Sequence, residues 1–62
     1  MASKFTDHEA AIEEAEWIRD NENVTAIILS ERTGYLVVAT EVEYKIDPFL
    51  RDLRIIEIFR PI

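Results

Sequence analysis

The 62-residue chain has no cysteine, one histidine and one glycine. Without cysteine there is no disulfide and no thiolate metal site. A lone histidine, with no calcium-loop spacing of carboxylates beside it, leaves no recognisable metal motif. A single glycine cannot build a phosphate-cradling loop. Long apolar runs are also missing: none approaches the roughly 18–20 residues of a membrane span. The start Met1-Ala2-Ser3-Lys4-Phe5-Thr6-Asp7 turns polar at once, unlike a secretory leader. A cytoplasmic protein with no membrane association is expected, and the lack of cysteine fits that setting.

Basic residues are scarce as well. Seven Lys and Arg stand against 13 Asp and Glu, a net charge of −6. The imbalance is local. Residues 1–31 hold Lys4 and Arg19 against eight carboxylates (2 − 8 = −6), whereas residues 32–62 hold five of each sign (5 − 5 = 0). A negative chain of this kind disfavours direct nucleic-acid binding through the phosphate backbone. Stacking of bases on Phe49 or Phe59 beside Arg51, Arg54 and Arg60 is disfavoured on the same ground.

What is present is 48% hydrophobic residues, enough for a single small folded domain over residues 1–62. Apolar burial in a chain this size stabilises by roughly 85–90 kcal/mol. Ordering it costs roughly 90 kcal/mol. The near cancellation makes the domain marginal alone. With no disulfide or metal to staple it, oligomerisation is the staple that remains.

The first predicted element is a helix from about Thr6 to Asn21. Thr6-Asp7-His8-Glu9 has the spacing of a capping box, and Asn21-Glu22-Asn23 offers a left-handed stop. Ala11, Ile12, Ala15 and Ile18 share an arc of about 120° that would face the core. Trp17 falls outside it, on a flank or projecting towards something else. A hairpin is predicted next, with strands over Val24 to Ser30 and Tyr35 to Tyr44 and a three-residue loop closed by Gly34. That register puts Val24, Ala26 and Ile28 on one face with Leu36, Val38 and Val42. Ile27 and Leu29 share the other face with Tyr35, Val37, Ala39, Glu41 and Glu43. Asp47-Pro48 starts a helical turn, and a last strand runs from about Arg54 to Arg60, paired antiparallel. The expected fold is α+β: one N-terminal helix packed on a three-stranded antiparallel sheet (α-β-β-β), with a short helical turn before the last strand.

No catalytic, cofactor-binding or metal-binding residue is assigned. Ser3 and Ser30 have no base at a meaningful spacing, and His8 reads as a partly buried structural residue. Glu41 and Glu43 read as a solvated strand edge. Two surface features stand out. Glu9, Glu13, Glu16 and Asp20 recur within a ~60° helical arc. Such like-charge spacing costs a helix about 0.2–0.5 kcal/mol per pair. This acidic stripe is a candidate site for a basic protein partner. The second feature is a sheet face that one helix cannot cover: Ile27, Leu29, Tyr35, Val37, Ala39, Ile55 and Phe59. Soluble monomers rarely expose so large an apolar patch, so it is a candidate homodimer face, unless the Pro48 turn or the chain ends fold over it. The expected function is therefore a non-enzymatic protein-binding module acting as a homodimer, without cofactor. Two alternatives compete with it. One is a small acidic inhibitor of the phage type that imitates nucleic acid or fills a basic site on a host protein. The other is a small enzyme whose site forms at the dimer interface from His8 or the Glu41–Glu43 pair.

Overall fold

Alanine-rich helix and β-branched strands separate along the chain as their propensities require. In the computed structural model, which describes residues 2–62, the helix α1 spans His8–Glu22. Its N-cap is Asp7, and no side-chain hydrogen bond closes that end, so the capping box expected at Thr6 is not formed. Asn23 ends the helix in the left-handed conformation (φ 55°), its N–H bonding the Arg19 carbonyl. Asparagine tolerates this conformation better than other residues with a Cβ.

The hairpin strands are β2 (Ala26–Ser30) and β3 (Leu36–Thr40), in the expected register, with Ile28 opposite Val38 and Leu29 opposite Val37. Around the loop, Glu31 donates to the Tyr35 carbonyl at 2.9 Å and Gly34 donates to the Glu31 carbonyl at 3.1 Å. Gly34 sits at φ 98°, a conformation glycine alone adopts cheaply. The second strand is shorter than expected. The Glu41 N–H makes a last bond to the Thr25 carbonyl, and the chain then coils into helix α2 (Glu41–Ile46). The cause is a full capping box. The Thr40 hydroxyl accepts from the Glu43 N–H (3.2 Å), and the Glu43 carboxylate accepts from the Thr40 N–H (2.9 Å). Asp47 then caps α3 (Pro48–Arg51), accepting from the Phe49 N–H at 3.0 Å, as the Asp-Pro pair predicts.

The sheet has four strands, not three. Ser3–Phe5 forms a short β1 beside β3, too brief to leave a periodic signature. The final strand β4 (Arg54–Phe59) pairs antiparallel with β2, giving the order β1-β3-β2-β4. Both β1 and β2 are antiparallel to β3, so they run the same way, joined by α1. By the same reasoning β3 and β4 run the same way, joined by α2 and α3. The two crossovers move in the same lateral direction from strands of opposite sense. Crossovers of one hand must then place their helices on opposite faces of the sheet.

That is where they lie. On the first face α1 lays Ala11, Ala15 and Ile18 on Ala26, Ile28 and Val38, with Phe5, Ile12, Leu36 and Phe59 around them. The alanines let the helix approach closely. On the second face Leu50, Tyr44 and Leu53 close over Ile27, Leu29, Val37 and Ala39, with Ala2 beside them. The expectation of an uncovered second face is therefore corrected over these strands: the segment that starts with the Thr40 cap folds back over it. The Cα radius of gyration is 10.5 Å, against about 10.6 Å for a compact chain of this length.

Candidate functional site

The acidic stripe is present and outward. Glu9, Glu13, Glu16 and Asp20 are all exposed on the side of α1 away from the sheet. Only Asp20 has an ion-pair partner among the described residues: Arg19 Nε lies 2.8 Å from its Oδ1. The hydrogen bond from Arg19 holds the Asp20 carboxyl below its usual range, and the same bond raises the arginine. Trp17 projects from this surface, 56% exposed, one helical turn from Glu13 and from Asp20. This agrees with its expected position outside the core-facing arc.

The seven residues of the expected dimer face separate into three groups. Ile27, Leu29, Val37 and Ala39 are buried within the chain under α2 and α3. Tyr35 and Ile55 remain exposed. Phe59 is on the other face, opposite Ala26 and packed in the α1 cluster. Its change of face has a definite cause. Ile28 pairs with Glu57 and Leu29 with Ile55, so Ile56 is an extra residue in β4, a bulge. The bulge shifts parity by one. Arg54, Glu57 and Phe59 face α1, while Ile55 and Ile58 face the second side.

That side is only partly roofed. The helical layer rests on residues of β2 and β3 and on Ala2 beside β1, and its cluster contains no residue of β4. Ile55, Ile56 and Ile58 stay 38%, 41% and 45% exposed. The helical layer also exposes apolar side chains: Val42, Ile46 and Phe49 are 62%, 74% and 62% exposed, among the exposed Glu41, Lys45, Asp47 and Arg51. Strict alternation hid this strip, because without the bulge Ile56 and Ile58 fall on the α1 side.

Comparison with known proteins finds no matching family model, no matching curated protein and no matching solved structure.

The groups with chemical potential are dispersed. His8 is exposed rather than partly buried, because α1 begins at it, and its Nε2 lies 2.5 Å from the Glu57 carboxylate on β4. That contact ties the start of the helix to the edge strand. Glu41 and Glu43 sit on α2, across the sheet from His8, and not on a strand edge. Glu43 accepts from both the N–H and the hydroxyl of Thr40. Burial opposes its ionisation, but the hydrogen bonds it accepts, those from Thr40 among them, hold its carboxyl below the ordinary glutamate value. Glu31 is the other enclosed carboxylate, its side chain 10% exposed. Thr33 donates to its Oε1 at 3.0 Å. Lys4 Nζ lies 3.1 Å from its Oε2 as a charge contact without hydrogen-bond alignment, and 5.5 Å from the centre of the Tyr35 ring. This cluster staples β1 to the hairpin end of the sheet. Among the described residues no three His, Asp or Glu side chains gather as a metal set, and no helix is long and apolar enough to cross a membrane. Arg54 and Arg60 make no ion pair with the helix carboxylates among the described residues; the α1-facing partner on β4 is Glu57.

Proposed function

We propose that this chain is a non-enzymatic protein-binding module that works as a homodimer. One observation carries the reading. Two groups of apolar side chains, Val42-Ile46-Phe49 on the short helices and Ile55-Ile56-Ile58 on β4, stay exposed on a small chain. Large exposed apolar patches mark interaction surfaces. The dispersed polar groups support the reading in a second way, since His8, Glu31 and Glu43 each bind elements of the fold together. Sedimentation equilibrium at high micromolar concentration is expected to give twice the 7.3 kDa chain mass. A clean monomer under those conditions would refute it.

A second reading is favoured by Trp17. An exposed indole among exposed carboxylates suits a basic protein surface, because an arginine or lysine could meet both the ring face and the acids. In this reading the chain is an acidic inhibitor that occupies a nucleic-acid-binding or other basic site. Replacing both Glu13 and Glu16 with Lys is then expected to remove basic proteins from a pull-down while the circular dichroism spectrum stays unchanged. An identical capture profile would rule it out.

A further inference from the structure

We infer that the partner of the second face is a second copy of this chain, docked so that the helical layer of each copy covers the exposed β4 strip of the other. This rests on the homodimer reading and specifies its geometry. The helical layer is built over β2 and β3, with Ala2 beside them, and its buried cluster holds no residue of β4. Its edge therefore forms a step about one helix diameter, roughly 10 Å, high. The β4 strip exposes Ile55, Ile56 and Ile58, and the helical layer exposes Val42, Ile46 and Phe49. A two-fold axis brings raised surface onto strip twice, each contact repeated with the copies exchanged. The six side chains expose on the order of 500 Å² per chain, close to the roughly 600–1,000 Å² that each partner of a stable pair buries. Smaller residues around them would complete that area.

Charge selects the same occupant. Helix α1 holds six carboxylates and one arginine, a net −5, and lies on the opposite face of the sheet. Residues 41–60 hold five carboxylates against Lys45, Arg51, Arg54 and Arg60, a net −1. Two copies meeting through the near-neutral side keep their acidic helices on the two far sides of the pair. A strongly basic partner would be drawn to α1 instead. The second copy is therefore the occupant that fits a side with exposed apolar residues and a net charge near zero.

The test uses single substitutions at exposed positions. Ile46→Lys and Ile56→Lys should each raise the dimer dissociation constant at least tenfold, with the far-ultraviolet spectrum unchanged. Glu13→Lys should leave the constant within about twofold. The chain has no native cysteine, so engineered ones report contacts directly. A mixture of Ile46→Cys and Ile56→Cys chains should yield a 46–56 crosslinked dimer under mild oxidation, and Trp17→Cys alone should not crosslink. A wild-type dimer that persists in both lysine variants, or that crosslinks through position 17 and not between 46 and 56, overturns this geometry while leaving the homodimer intact. A monomeric wild type overturns the homodimer reading itself.

Discussion

The two faces of the sheet are covered in different ways. On one, a single 15-residue helix lays a stripe of two alanines and an isoleucine along the strands. On the other, a six-residue and a four-residue helix do the same work, with Leu50 as their one buried residue. The long helix has enough turns to hold itself against the sheet and needs no side-chain cap at its start. Short helices are poor structures in isolation, since nucleation is costly. The second cover therefore depends on its caps, at Thr40 and Asp47, and on one anchoring leucine. A long amphipathic pattern can announce itself by periodicity; a short one is specified at its ends.

The largest test of that contrast removes the anchor. Leu50→Ala should destabilise the chain by about 2–5 kcal/mol. It should also expose Ile27 and Leu29 to a dye such as ANS without loss of α1 helicity. Ile28→Ala on the other face should cost a similar amount, but it should loosen α1 first, so hydrogen exchange would separate the two. If Leu50→Ala left α2 amides as protected as in the wild type, the dependence of the second cover on its anchor would be wrong. A smaller effect is expected at the caps. Thr40→Ala should cost about 1 kcal/mol by urea denaturation. Thr6→Ala, with the same sequence signature, should cost no more than about 0.5 kcal/mol. Equal costs at both positions would erase the distinction. Gly34→Ala, at φ 98°, should cost about 1 kcal/mol and affect both faces equally, since it strains the hairpin they share.

The smallest effect is one of pH. The Glu43 carboxyl is lowered in the fold, so its contribution is fully present above the unfolded-state value and is lost as pH falls through the folded value. Stability should decline between about pH 5 and pH 3 less steeply in Glu43→Gln than in the wild type. Parallel slopes in urea midpoints across that range would show that the cap carboxylate does not contribute.

Much of the architecture was legible in residue pattern. The helix and its core stripe, the Gly34 loop, the hairpin register, the Asp47-Pro48 turn and the antiparallel last strand all follow from local chemistry. The misses share a physical origin. Thr40-Glu41-Val42-Glu43 carries the same capping signature as Thr6-Asp7-His8-Glu9, but it lies within a run of β-formers that masks it. Strand β1 has three residues and gains its structure from pairing with β3 alone. The bulge at Ile56 has no local marker, because isoleucine is an ordinary strand residue; only the pairing with β2 creates it. Its consequence for the candidate surface was large, since it moved Phe59 into the α1 core and Ile58 onto the exposed strip. The acidic stripe, by contrast, was fully legible, because it depends only on helical spacing.

The same bulge bears on what the chain does when crowded. Ile55-Ile56-Glu57-Ile58-Phe59 has the composition of segments that stack into fibrils, and β4 is an open edge. A flat strand of this kind would template endless addition. With one extra residue it is kinked, its ladder is interrupted midway, and Pro61 beyond its end lacks the N–H to continue it. The opposite edge, β1, is only three residues long. Neither border of the sheet offers a template for growth, so association through this protein's side chains can close on itself instead of running on into a fibre.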